Sequence, residues 1–429
     1  MFRSSLIVTF LTLSASALGF FVQLLIAQRF GLGVEVDSYL FSLSFPTFLS
    51  GLVSAILSFN LIPRLILVKK ESEFYYEIIC TLVIGFAGLS ILLTILMYGA
   101  MLLFIEKILP VNSPILKYDE LHILIIISCS VGGVQVLQGC IASILNAEKK
   151  YVHSAVIALL PYAGMLGLMH EMNKSTGIKP AAVGLLIGGI SAAMVGIFLL
   201  KKYFKHFHWK KINLSELRNL ANTSSYTALA ISCFSAYSIV DSFWGPRAGD
   251  GTLAALGYAQ RLVIAIGNLA VAGPSALLVP HFAEYLHNNN HRGFIALMRR
   301  AFLLVGAIAA VTAIFLSLFS VEIVKLLFGR GEFGTDQISE VAQTIRNMTP
   351  GMIAMLLSVI GLRILFCFKK THKVTAGIGV GWAIGYFLGS FLAHKYGAPG
   401  IALAYSSTWI ITLCVIVNLI NKQTRKFNA

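Results

Sequence analysis

Charge is what this sequence has least of. Charged residues fill 12% of its 429 positions, against the roughly 25% usual in a soluble domain. Acids are the scarcer sign, with 18 Asp and Glu beside 33 Lys and Arg. A chain this poor in charge and 57% hydrophobic, with a mean hydropathy of +0.82, cannot clothe a soluble core. Cysteine offers no framework either. Cys80, Cys129, Cys140, Cys233, Cys367 and Cys414 all fall in apolar runs, with no CxxC. They read as small core residues, which excludes a disulfide scaffold and a cysteine metal site. Also missing are a nucleophile elbow, a phosphate-binding glycine loop and an HExxH. Connections on the expected outer side are too short to fold over a sugar, so the sequence carries no enzyme signature.

What fills the chain is a series of apolar runs long enough to span a bilayer, at 5–29, 38–62, 76–105, 121–146, 151–170, 179–200, 221–244, 252–280, 301–328, 344–368, 374–394 and 399–420. Ten-residue alternating segments of a barrel are absent. The expectation is an all-α polytopic membrane protein with about twelve helices. The start, "MFRSSLIVTFLTLSASALGF", has a signal-like small-residue site near Ala17, but its apolar run continues through Ala27 and reads as an uncleaved first helix.

Orientation follows from Lys and Arg. Clusters at Arg64, Lys69 and Lys70, at Lys149 and Lys150, at Lys201 to Arg218, at Arg292 to Arg300, at Lys369 to Lys373 and at Lys422 to Lys426 fall on one side, so that side and both termini are cytoplasmic. Topology then accounts for the net charge of +15, and no nucleic-acid partner is needed.

The basic stretch 201–220 divides the chain into an N-lobe at 1–200 with helices 1–6 and a C-lobe at 221–429 with helices 7–12. "PTFLSGLVSAILSFNLIPRL" from Pro46 and "VIAIGNLAVAGPSALLVPHF" from Val263 align at one constant offset, setting Pro63 against Pro280 and Ala55 against Ala272. An even number of helices per half makes this a parallel repeat, with a cleft expected between the lobes. His206 and His208 flank an aromatic in the basic stretch, which reads as a headgroup-facing segment rather than a metal site.

Polar residues inside the runs must face protein or a water-filled cavity. Arg261 lies in the eighth run, with Asn268 two turns on along the same face; Asp241 lies in the seventh. Two readings of Asp241 stay open, an ion pair with Arg261 that fixes packing or a substrate or coupling-ion role. Arg363 is near enough to its helix end to snorkel, while Arg29, Glu35 and Asp37 at the outer end of the first hairpin read as solvated. Gly19, Pro46, Gly51, Gly267, Gly273, Pro274 and Gly351 interrupt the runs, serving either bending or close packing.

Three segments carry a family resemblance: "ALGFFVQLLIAQRFGLGVEVDSYLFSLSFPTFL" from Ala17, "LGYAQRLVIAIGNLAVAGPSALLVP" from Leu256 and "VKLLFGRGEF" from Val324. Together, and in this order, they resemble the MurJ (MviN) lipid II flippases of the multidrug/oligosaccharidyl-lipid/polysaccharide (MOP) exporter superfamily, which includes the MATE exporters. The resemblance implies a two-lobe transporter that moves an undecaprenyl-pyrophosphate-linked saccharide across the bacterial inner membrane by alternating access, with a cationic cavity for the diphosphate. Where the family carries cavity arginines in its first two helices, this chain has Ser16, Val22 and Ser50, with Gln23 at the neighbouring acidic position; Arg261 is retained. Asp241 falls where some members place a sodium ligand, while "GWAIGYFLGSF" offers no Asp or Asn to complete that site. The family also adds two helices beyond the twelve read here. The implied substrate-site residues are Arg261, Asn268, Gln23, Ser16 and Ser50, with Asp241 as coupling-ion or ion-pair residue. No cofactor is expected beyond a coupling Na+ or H+ or the membrane potential. The partners are the lipid-linked oligosaccharide and membrane lipids, and the protein is expected to act as a monomer. Alternatives are an exopolysaccharide or O-antigen repeat-unit flippase and a MATE-type multidrug exporter, the latter disfavoured because a drug-cation site wants carboxylates and aromatic faces.

Overall fold

The computed structural model describes residues 2–71, 75–171, 176–204, 237–267, 285, 290–367 and 371–425. The helices are α1 (Phe2–Phe30), α2 (Val34–Glu71), α3 (Tyr75–Ile108), α4 (Leu121–Ala147), α5 (Tyr151–Gly167), α6 (Lys179–Leu199) and the short α7 (Lys201–Phe204). They continue with α8 (Tyr237–Ala248), α9 (Thr252–Gly267), α10 (His291–Leu318), α11 (Ser320–Phe328), α12 (Thr335–Cys367) and α13 (Thr371–Thr424). Among the described residues nine helices are long and apolar enough to cross a membrane. The last, α13, holds two of the expected runs joined at Gly397, whose φ of 60° lies in the left-handed region open to glycine. Helices are the only open-chain solution here, because lipid satisfies no backbone polar group. Phe10, Leu103, Leu303 and Phe391 stand exposed on these helices, as lipid-facing residues do.

Two compact units divide the chain, Met1–Ile239 and Val240–Ala429. Of the basic stretch 201–220 only α7 is described. His206, His208 and the repeat segment from Asn268 through Gly273, Pro274 and Pro280 lie outside the described residues.

In the first unit α4 is the central helix, packed against α2, α3, α5 and α6. Small residues permit this. A Cβ on Gly132 would sit 2.9 Å from the Pro46 Cβ of α2, and one on Gly133 would sit 2.6 Å from the Ser90 carbonyl of α3. The α5/α6 contact is closer still, since a Cβ on Gly164 would overlap the Gly184 carbonyl and one on Gly188 would overlap the Leu160 carbonyl. Gly184 and Gly188, four apart, form the small-xxx-small face that lets membrane helices approach backbone to backbone. At one end of the unit Leu61, Leu65, Ile79, Leu82, Ile144, Leu145 and Tyr203 form a buried cluster. The same end carries an ionic contact, with Lys69 Nζ 2.9 Å from Glu148 Oε1 and the Tyr75 hydroxyl donating to that oxygen. Burial opposes the Glu148 charge, yet these hydrogen bonds outweigh it and hold the carboxyl below its ordinary value.

The other end of the first hairpin departs from the sequence expectation. Arg29, Glu35 and Asp37 were expected in solvent; instead Asp37 is only 2% exposed, and Arg29 donates to the Met169 carbonyl in the turn after α5. The chain reverses tightly between them at Gly31, φ 55°.

In the second unit α12 packs on α13, α10 and α11. Pro350 lies inside α12, in a turn that a side chain of α13 contacts. Ser406 of α13 donates to the Asn347 carbonyl at 2.5 Å and accepts from the Gly351 N–H at 3.0 Å, tying α13 to two backbone groups of that turn.

Candidate substrate site

The α8/α9 hairpin turns through Gly249 and Gly251, with φ of 143° and 78°, conformations that favour glycine. It sets Gln260 of α9 against Asp241 of α8, Nε2 to Oδ2 at 3.2 Å. Asp241 is 5% exposed, and its Oδ1 has no hydrogen-bond partner among the described residues. Tyr405 of α13 lies within electrostatic reach of it. Three residues on from Asp241, Trp244 packs on Tyr386 at 5.3 Å between ring centroids and against Gly389, where a Cβ would come within 2.8 Å of the indole. The packing holds α8 on α13 and pins the carboxylate in place.

Arg261 is directed elsewhere. Leu253, Leu256, Ala259, Leu262 and Val263 of α9 are buried, while Arg261 and Ala265, four apart, are exposed on the opposite face. No ion pair or hydrogen bond to Arg261 is found among the described residues. The ion-pair reading of Asp241 and Arg261 is therefore corrected: the carboxylate takes a neutral amide from the residue before Arg261, and the guanidinium projects from the open face of its helix. The physical reason is angular, because neighbouring helix positions point about 100° apart and only one of the two can face α8. Gln260 is the partner that the sequence reading missed, although an amide inside an apolar run was signal enough to look for one.

The remaining candidates lie in the first unit, apart from Asn268, which falls outside the described residues. On α1 the buried stripe is Ala15, Gly19, Val22, Gln23, Ile26 and Ala27, a helical spacing that faces α5. Gln23 thus sits on the packed face, 7% exposed, with no partner for Oε1 among the described residues. Ser16 lies on the exposed face, its hydroxyl donating back to the Thr12 carbonyl at 3.1 Å. Ser50 of α2 is 2% exposed and donates to Gln135 Oε1 of α4 at 2.7 Å. The structure thus places Arg261 and Asp241 in one unit and Ser16, Gln23 and Ser50 in the other, and of these five only Arg261 and Ser16 stand open.

A sequence profile described as lipid II flippase MurJ matches residues 26–429. The chain belongs to the MurJ family. Probable lipid II flippases MurJ of Bdellovibrio bacteriovorus and Chlamydia muridarum are 19% and 22% identical over 244 and 247 residues, which is 57% of this chain in each case and 47% and 46% of the relatives. The chain thus spans about half the length of the curated relatives it matches. Among solved structures, a lipid II flippase MurJ in an inward closed conformation aligns with a TM-score of 0.82 at 19% identity, covering 98% of this chain and 90% of that one. An inward-facing multidrug resistance MATE transporter of the MOP superfamily aligns at 0.73 and 13% identity over 97% and 95% of the two chains. At these identities the likeness is one of fold. Membership of the MurJ family and the apolar helices make this a multi-pass membrane protein of the bacterial inner membrane.

Proposed function

We propose that the protein is a flippase for an undecaprenyl-pyrophosphate-linked saccharide, lipid II or a related glycan precursor, working by alternating access of its two lobes. The observation that carries this reading is Arg261, exposed on α9 with no acid paired to it among the described residues. A guanidinium in an apolar helix is expensive unless a ligand or water receives it, and its planar fork of donors matches phosphate oxygens. Asp241 is the coupling-ion site in this reading, its Oδ1 available to Na+ or to a proton. Both termini are cytoplasmic, the protein acts as a monomeric carrier rather than an enzyme, and its partners are the lipid-linked substrate and membrane lipids.

The test is transport of fluorescent lipid II in vesicles reconstituted with purified protein. Wild-type protein should expose the lipid at the opposite leaflet, and Arg261→Ala should slow that exposure at least about tenfold, the loss expected for a charge-assisted phosphate contact. Full transport by the alanine variant would dismiss the diphosphate role. The second reading, a repeat-unit flippase for an exopolysaccharide, is favoured by Ser16 and Ser50 standing where the family carries arginines; a lipid-linked repeat unit run in the same assay separates the two.

A further inference from the structure

The first unit carries an open cavity of about 270 Å³ among α2, α4 and α5. Its polar lining is Thr47, Ser50, Ser54, Gln135, Gln138 and Ser154; the rest of the wall is glycine, alanine and Ile157, and no charged side chain among the described residues lines it. Six neutral polar side chains on three apolar helices are unusual, since each hydroxyl or amide left without a partner in a membrane interior is costly.

The protein satisfies these groups only in part. Ser50 uses the Gln135 Oε1, at 2.7 Å, which leaves the Gln135 amide nitrogen with two donors. Gln138 is arranged the other way: its Nε2 donates to the Gly189 carbonyl of α6 at 2.6 Å, so its Oε1 is left to accept. Ser54 stands in a space that exists because residue 139 is glycine, where a Cβ would overlap the Ser54 Oγ. Neither the Ser54 nor the Ser154 hydroxyl bonds to another described residue. The cavity therefore offers donors from Gln135, Ser54 and Ser154 and an acceptor from Gln138, with no net charge.

This pattern selects a ligand class. A diphosphate wants cationic donors and is repelled by an amide oxygen, and an organic cation wants carboxylates or aromatic faces. Sugar hydroxyls and acylamino groups both donate and accept, and so match a wall that does the same. At about 30 Å³ per water, the 270 Å³ corresponds to roughly nine waters, space for one sugar ring rather than a whole headgroup. Gln135 lies about 18 Å along α4 from its Ala147 end, and Ser154 is in the first turn of α5. The cavity thus runs from mid-helix toward the end bearing Lys149 and Lys150, which the proposed orientation puts in the cytoplasm, where the glycan is loaded.

The geometry points to a neutral saccharide subsite in the first unit, binding hydroxyl and acylamino groups of the glycan. The subsite rests on the reading of this protein as a carrier of lipid-linked saccharides. The experiment measures binding of two probes to purified protein in nanodiscs, undecaprenyl diphosphate carrying N-acetylglucosamine and undecaprenyl diphosphate without sugar. Wild-type protein should prefer the glycosylated lipid. The double variant Ser54→Ala/Ser154→Ala, which removes two hydroxyls with no partner among the described residues and leaves the packing intact, should reduce that preference about fivefold or more, as should Gln135→Leu. Binding of the bare lipid should not change, whereas Arg261→Ala should weaken both probes. A wild-type protein without preference, variants that weaken both probes equally, or variants that weaken neither would overturn the subsite and leave the carrier reading standing. Failure of wild-type protein to bind either probe would overturn the carrier reading and the subsite together.

Discussion

Gln260 and Asp241 meet at 3.2 Å, amide nitrogen to carboxylate oxygen, across the α8/α9 hairpin, and the next residue along the chain is the exposed Arg261. A single step along the helix thus separates a packing contact from an outward-facing charge. Replacing Gln260 by Leu leaves both oxygens of a carboxylate that is 5% exposed without that donor, and should destabilise the second unit by about 1–3 kcal/mol. Thermal unfolding of detergent-purified protein reads this. Adding Asp241→Asn to that background should recover part of the loss, because a neutral amide is cheaper to bury than a carboxylate.

Arg261→Ala should behave in the opposite way. The side chain projects from the open face of α9, so stability should move by no more than about 0.5 kcal/mol while transport collapses. Arg261→Lys should fall between wild type and alanine, since an ammonium keeps the charge and loses the planar fork. A melting midpoint that drops with transport would reassign the residue to structure.

Asp241→Asn should leave the hairpin intact, because the asparagine Oδ1 still accepts from Gln260. It should also make transport insensitive to an imposed Na+ or proton gradient. Unchanged gradient dependence in the variant would move the coupling site elsewhere.

Acid should loosen the first unit through Glu148. Its folded-state carboxyl lies below the ordinary value of 4.5, so the stabilisation is complete above that value and is lost as pH falls through the lower folded-state pKa. Glu148→Gln should melt earlier than wild type at neutral pH, by about 1–2 kcal/mol given that Lys69 is half exposed. The two proteins should converge once the pH has fallen below the folded-state pKa of Glu148. A gap that persists in acid would show that the charge is not the source.

Gly188→Leu should be the most damaging change on the α5/α6 face. The glycine already lies against the Leu160 carbonyl, so closely that even a Cβ would overlap it. The helices would have to part, at about 1–3 kcal/mol or more, and limited proteolysis of the variant should report that separation.

Much of the fold could be read from residue order. Every apolar run maps onto described helix in whole or in part, and Gly184 and Gly188 announce their own packing face. The site was less accessible. Gln135 and Gln138 are visible in the sequence as two amides three apart in an apolar run, but their opposite orientations are set by Ser50 on α2 and Gly189 on α6. Asp37 looked solvated because it follows a turn, yet it is buried, since burial at a helix start depends on elements distant in sequence.

Composition and run length by themselves determined that this is a many-helix membrane protein, because backbone groups in lipid must bond within their own helix. The tertiary structure decided which polar side chains are spent on packing and which remain free for a ligand. Gln260 and Arg261 are adjacent in sequence and both polar in an apolar run; only the position of α8 against α9 engages one and leaves the other open.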